Sequence, residues 1–190
     1  MNTATRPAAV RDLPARPIAL LVLALTTAAC APLTPPAQSI PGVATVDYVI
    51  DGDTIDVITP GGETQRVRLL GINTPEVPHD DEPGQCGAEE AAEQLRALLP
   101  DGTKVHLHSD PAADNEDRFG RLLRYVELET GKDAGLELIS AGHAYAWVPA
   151  SAPDPERLDD YQAATEAAEA GNAGSWATCP ALDESRGPPG

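Results

Sequence analysis

A chain of 190 residues, 42% hydrophobic and 23% charged, has enough apolar side chain for one sizeable core and too little length for a second large domain. Its formal net charge of −17 excludes a generic basic scaffold that holds polyanions by counterion release, so any polyanion partner must be gripped by a local cluster of cations. With only 4% aromatic residues, the core must be built from small aliphatic side chains.

At the start of the chain Arg6, Arg11 and Arg16 precede an apolar run, Ile18 to Leu25, that is too short to span a bilayer comfortably. This is the layout of an export signal over residues 1–30. Its end, Thr27-Ala28-Ala29-Cys30, resembles a bacterial lipobox, in which the cysteine is lipidated and becomes the mature N-terminus. An ordinary cleaved signal peptide is the alternative. Either reading places the rest of the chain outside the cytoplasm, anchored to a membrane through the lipid or, if Cys30 is unmodified, secreted. Setting Cys30 aside leaves Cys86 and Cys179 as one pair in a compartment where disulfides persist, and a Cys86–Cys179 bridge is expected, with two buried thiols as the alternative. Residues 31–42 are proline-rich and nearly uncharged and read as a tether. Residues 43–180 read as the folded domain, and 181–190, with its Gly-Pro-Pro-Gly ending, as a frayed tail.

Within the domain, strand patterns come first, at 45–50, 54–58 and 64–72, separated by the turn sequences Asp51-Gly52-Asp53 and Pro60-Gly61-Gly62. Residues 88–99 place Ala91, Ala92, Leu95, Leu98 and Leu99 on one side and Glu89, Glu90 and Glu93 on the other, an amphipathic helix stopped by Pro100-Asp101-Gly102. Two more strands follow at 104–109 and 122–128. A short helix at 134–141 ends at Gly142, and a last helix opens at Asp154-Pro155 and stripes Leu158, Tyr161, Thr165 and Ala168 before Gly171. Five strands and three helices, strands mostly first, predict an α+β domain: a small closed barrel with helices packed on it.

Three short stretches concentrate the chemistry. Asp51-Gly52-Asp53-Thr54 sets two carboxylates at a strand-to-strand turn, suited to a hard cation but also ordinary hairpin chemistry. Arg68-Leu69-Leu70-Gly71-Ile72-Asn73-Thr74-Pro75-Glu76 runs a strand bearing an arginine into a polar turn. Asp117-Arg118-Phe119-Gly120-Arg121 offers further guanidinium groups just before a strand.

In this order and spacing the three stretches resemble the motifs of the staphylococcal nuclease family, and the resemblance runs from about Val46 to Cys179. It implies an OB-fold barrel of five strands with three helices, and calcium-dependent hydrolysis of DNA or RNA to products with 3′-phosphates. Carried over residue by residue, it makes Asp53 a calcium ligand and Thr74 a donor of its backbone carbonyl. Asn73 stands where the family has a second aspartate, so its amide oxygen would ligate with one charge fewer and weaker affinity. Glu76 matches the carboxylate that contacts the attacking water. Arg68 and Arg121 match the two guanidiniums that hold the phosphate, where planar, always-protonated forks suit the charge built up on its oxygens. Arg118 and Phe119 fall at substrate-contacting positions, Phe119 without the hydroxyl of the family's tyrosine. The implied partners are the nucleic acid and, through the lipid, a membrane, for a protein expected to be a monomer.

Two features fall outside this pattern. His106 and His108 lie i, i+2 on one strand but have no third ligand in evidence, and Trp147 and Trp176 read as packing residues. The acidity is the main argument for an alternative reading, a catalytically weak or inactive OB-fold module that binds nucleic acid or another ligand. If the site is active, the acidic residues are expected on helix faces away from it.

Overall fold

The computed structural model describes residues 42–78 and 83–180, together with Met1 and Leu182. The expectations for the export signal, for Cys30 and for most of the tether and tail lie outside these residues. Gly42, placed in the tether by sequence, is the first residue of a strand, and Leu182, placed in the tail, is buried.

The elements in chain order are β1 Gly42–Val49, β2 Thr54–Ile58, β3 Thr64–Leu69, β4 Ile72–Asn73, α1 Ala88–Leu98, β5 Lys104–His108, β6 Leu122–Leu128, α2 Ala134–Ser140, β7 Tyr145–Ala146 and α3 Leu158–Ala170. A short 3-10 turn, Gly174–Ala177, follows. Strands β1, β2, β3, β6 and β5 form a closed barrel in that order. Its pairings are antiparallel except at the β3–β6 seam, where Val67, Arg68 and Leu69 run parallel to Leu122, Leu123 and Arg124. With the three helices this is the five-stranded OB-fold barrel of the α+β class expected from the sequence.

Alternation fills the barrel. Val46, Ile55, Val57, Val67, Leu69, Val105, Leu107 and Val126 are buried in one cluster with Leu95 and Leu99 from and just after α1, Leu138 and Ile139 from α2, and Tyr161 from α3. These are mainly β-branched and leucine side chains, which pack a narrow barrel without large rings. Part of the acidity lies on exposed helix faces, at Glu89, Glu90 and Glu93 on α1 and at Asp159, Asp160, Glu166 and Glu169 on α3, and part lies on turns and loops, as at Asp51 and Glu76.

Three details depart from the sequence reading. The strand expected over 64–72 is broken at Gly71, whose φ of +81° turns the chain out of the barrel. Ile72 and Asn73 then pair with Ala146 and Tyr145 in a separate two-stranded ribbon. The last helix begins at Leu158 rather than at Asp154-Pro155. There the Glu156 amide donates to Asp110 Oδ2 (2.7 Å) and the Arg157 amide to Tyr125 Oη (3.2 Å), so side chains from the barrel satisfy donors at the helix entry.

An extended ion-pair network joins this helix entry to the barrel. The Arg157 guanidinium bonds both Asp133 and Glu127 and lies 4.3 Å from the centre of the Tyr125 ring. Tyr161 Oη donates to Asp133 (2.7 Å), and Tyr125 Oη donates to Asp110 (2.6 Å). Burial opposes ionisation of Asp110 and Glu127. Hydrogen bonds from Tyr125 and backbone amides to Asp110, and from Arg157 to Glu127, outweigh it and hold both carboxyls below their ordinary range. His108 Nε2 lies 3.1 Å from the same Glu127, and neither His108 nor His106 joins a metal-binding cluster among the described residues.

Candidate active site

The site forms where the β1–β2 turn, the end of β3, β4 and the loop before β6 meet. Gly52 is required for the approach: a Cβ there would stand 2.6 Å from Thr74 Oγ1 and 2.8 Å from the Ala91 side chain. With no side chain at that position, Asp53 lies against Thr74, whose amide and hydroxyl both donate to Asp53 Oδ2 at 3.3 Å.

Asp53 is buried and faces a guanidinium, with Arg68 Nη2 2.8 Å from Asp53 Oδ2. The same Nη2 donates to Asn73 Oδ1 (2.8 Å). A carboxylate oxygen from the β1–β2 turn and an amide oxygen from β4 thus converge on one positively charged nitrogen. The Asn73 amide is oriented from its other end, where Nδ2 donates to Tyr145 Oη (2.8 Å) on β7. That bond keeps Oδ1 turned toward Arg68.

The second arginine joins through a threonine. Arg121 Nη1 donates to Thr54 Oγ1 (3.4 Å), and Thr54 Oγ1 donates to Asp53 Oδ1 (3.0 Å). Asp117 sets the Arg121 side chain: its Oδ2 accepts from Arg121 Nε (2.6 Å), while Oδ1 accepts from the amides of Phe119 (2.9 Å) and Arg121 (3.0 Å). A continuous chain of contacts therefore runs from Arg121 through Thr54, Asp53, Arg68 and Asn73 to Tyr145.

Electrostatics favour a cation here. Burial pushes the Asp53 carboxyl up to about 6; the Arg68 charge partly offsets this, and the charges of Asp51 and Glu76 add to it. Three acidic groups therefore bear on one buried point that holds a single guanidinium. No three His, Cys, Asp or Glu side chains gather at metal-binding spacing among the described residues. The converging donors are instead one carboxylate and one amide oxygen, with Thr74 beside them, and hard oxygens of this kind suit calcium better than zinc.

Of the residues singled out by sequence, Asp53, Arg68, Asn73, Thr74 and Arg121 are brought together. Glu76 is exposed on the following loop, near enough to act on the Asp53 charge. Arg118 and Phe119 sit on the rim. The Phe119 ring is 68% exposed, with the Arg118 and Arg121 guanidiniums 4.7 and 5.4 Å from its centre. Cys86 and Cys179 form a disulfide with Cα atoms 5.7 Å apart. Trp147, read as a packing residue, is exposed two residues beyond Tyr145. Thr54, Asp117 and Tyr145 were missed. Asp117 and Thr54 stood inside quoted motifs, but nothing in the sequence signalled that Tyr145 meets Asn73.

A closed five-stranded barrel carrying three helices, with two arginines linked through a buried carboxylate at the strand ends, defines an OB-type domain. The family described as "Staphylococcal nuclease homologue" matches residues 66–178. The chain belongs to that family. It is 32% identical over 136 residues to Endonuclease YhcR of Bacillus subtilis (strain 168), covering 69% of this chain and 11% of that protein. It is 36% identical over 126 residues to Endonuclease YncB of the same organism, covering 64% and 58%. Against the Thermonuclease of Staphylococcus hyicus it is 39% identical over 80 residues, covering 42% and 45%. The chain thus spans less than two thirds of the length of each of these relatives.

Proposed function

We propose that this domain is a calcium-dependent phosphodiesterase that hydrolyses DNA or RNA and leaves 3′-phosphates. The observation that carries the reading is the contact chain linking Arg68 and Arg121 through Asp53 and Thr54. It holds two permanently charged forks around one acidic, cation-seeking point. Relatives that bear the names endonuclease and thermonuclease support it.

In this reading Asp53, the Asn73 amide oxygen and the Thr74 carbonyl hold the calcium, which supplies Lewis-acid stabilisation of the phosphate charge when bound. Arg68 turns from its Asp53 and Asn73 partners toward a non-bridging phosphate oxygen. Arg121, braced by Asp117, takes another. Together they stabilise the pentacoordinate transition state more than the ground state, because charge accumulates on those oxygens as the nucleophile attacks. Glu76 receives the proton of the attacking water or orients it in line with the leaving oxygen. The exposed Phe119 and Trp147 rings offer faces on which bases stack, which tolerates any sequence. We further propose that the protein acts outside the cytoplasm as a monomer, anchored through a lipid on Cys30.

One observation favours the alternative, an inactive binding module: Asn73 gives the cation point one negative charge fewer than the family's aspartate. Digestion of single-stranded DNA with excess calcium and with a chelator separates the two. Calcium-dependent cleavage that falls on the order of 100- to 1,000-fold in Arg121→Ala supports the nuclease. No cleavage by the unaltered chain in saturating calcium overturns it.

A further inference from the structure

Glu76 sits at an exposed point on the chain, yet its proposed role demands a fixed position. Its upstream side is settled by buried Thr74 and Pro75. Its downstream side is settled by a residue nine positions on. The Glu76 amide donates to the side-chain Oε1 of Gln85 (2.7 Å), and the Gln85 amide donates back to the Glu76 carbonyl (2.9 Å). Two reciprocal bonds thus close the base of this loop on the residue that bears the carboxylate.

Gln85 is itself anchored. The next residue, Cys86, is bonded to Cys179, and the Cys179 amide donates to the Ser175 carbonyl (2.8 Å). Ser175 is buried: its amide donates to the Gly142 carbonyl (3.0 Å) and its hydroxyl pairs with His143 Nδ1 (3.0 Å). Gly87 runs against the same serine, since a Cβ there would meet Ser175 Oγ at 2.9 Å. Residues 85–87 are therefore held to the 3-10 turn behind α2, while Gln85 and Cys86 remain exposed to solvent and to small reductants.

We propose that Gln85 is a positioning residue for Glu76, that the Cys86–Cys179 disulfide holds Gln85 in place, and that turnover therefore depends on the redox state of this disulfide. The inference rests on the proposed nuclease reading for its kinetic consequence, but the clamp itself is a structural claim. Gln85 touches no reacting atom. It acts by keeping the Glu76 carboxylate within reach of the attacking water, and small displacements at a reacting centre cost large factors in rate. Reduction breaks the one sulfur–sulfur bond, takes two electrons and two protons from a dithiol reductant, and leaves two thiols that no longer tether the loop base.

The test uses the full chain with Gln85→Leu, Gln85→Glu and the Cys86→Ser/Cys179→Ser pair. Gln85 is exposed, so its variants keep the thermal midpoint of the parent. In Gln85→Leu, kcat falls about tenfold with KM nearly unchanged, and Gln85→Glu, which keeps an acceptor oxygen at the same reach, restores most of it. Dithiol reduction of the parent gives a similar fall in kcat, and adding Gln85→Leu to the disulfide-free chain lowers kcat little further, because both changes release one clamp. Amide hydrogen exchange reads the same clamp without turnover: protection at Glu76 and Gln85 drops in Gln85→Leu and on reduction. Parental kcat in Gln85→Leu, or unchanged exchange at both amides on reduction, overturns the proposal. A parent chain that never cleaves overturns the nuclease reading instead and leaves the exchange experiment to decide the clamp.

Discussion

Among the described residues, the constellations around Arg157 and around Arg68 and Arg121 are built to opposite ends. Around Arg157 both guanidinium nitrogens meet carboxylates, Asp133 and Glu127, and the ring beneath, Tyr125, is 4% exposed. Around Arg68 and Arg121 the acids divide: Asp117 is bonded by Arg121 and held below its ordinary range, while at Asp53 burial, with the charges of Asp51 and Glu76, outweighs Arg68. The buried carboxyl there is pushed up rather than down, and the ring beside the arginines, Phe119, is 68% exposed. A saturated network with lowered carboxyl pKa values holds elements together. An unsaturated one with a raised carboxyl pKa and an open aromatic face is the pattern common to ligand-binding sites.

The largest effect that would break this contrast is at Arg157. Replacement by Met leaves Asp133, Glu127 and Tyr161 facing one another without the cation. We expect a loss of about 2–4 kcal/mol in denaturant unfolding, short of the fully buried range because Arg157 keeps partial solvent access. Turnover of the folded fraction should stay within a few-fold. A stability change near zero with lost turnover would make the distal network part of the site.

Acidity separates the two regions next. At Asp53 the folded value of about 6 lies above the ordinary aspartate value of about 3.9. Its contribution to stability is therefore fully present below about pH 4 and lost as pH rises through about 6. Asp110 and Glu127 run the other way. Their contribution is present above their unfolded values and lost as pH falls through their lower folded ones. Without metal, Asp53→Asn should gain about 1–3 kcal/mol relative to the parent between pH 4 and pH 7, read from unfolding curves at each pH. A constant difference across that range would show that Asp53 is as well satisfied as the distal acids.

The smallest effect sharpens the contrast at the rings. Phe119→Leu should leave the thermal midpoint unchanged and raise KM for single-stranded DNA about fivefold, near the lower end of the energy of stacking one base. An unchanged KM would remove the exposed ring from the substrate path.

Much of both regions could be read before the structure, for reasons that differ by element. Apolar and polar residues alternate along 54–57 and 104–108, and Leu158, Tyr161, Thr165 and Ala168 keep helical spacing, so local pattern sufficed there. β4 and β7 contribute two residues each, too few to show any period, and only their mutual pairing makes them strands. The start of α3 was read a turn early because the side chains that cap it, Asp110 and Tyr125, come from distant sequence. In the site, Asp53, Arg68, Asn73, Thr74 and Arg121 stood out by spacing within short motifs. Tyr145 did not, since its partner Asn73 is 72 positions away. Nor did Gln85, whose reciprocal bonds to Glu76 exist only once the loop has closed.

The closed barrel also bears on strand addition from a neighbouring chain. β1 and β5, the two ends of the strand order, pair with each other, and the parallel β3–β6 seam completes the ring, so among the described residues the barrel leaves no free edge strand to which a neighbouring chain can add. The β4–β7 ribbon is too short to serve as such a template. The ring is held by the fewest paired residues at the parallel seam, in register through Val67–Leu122, Arg68–Leu123 and Leu69–Arg124. One strand of that seam carries Arg68, so a residue at the centre of the candidate site is also part of the barrel's closure.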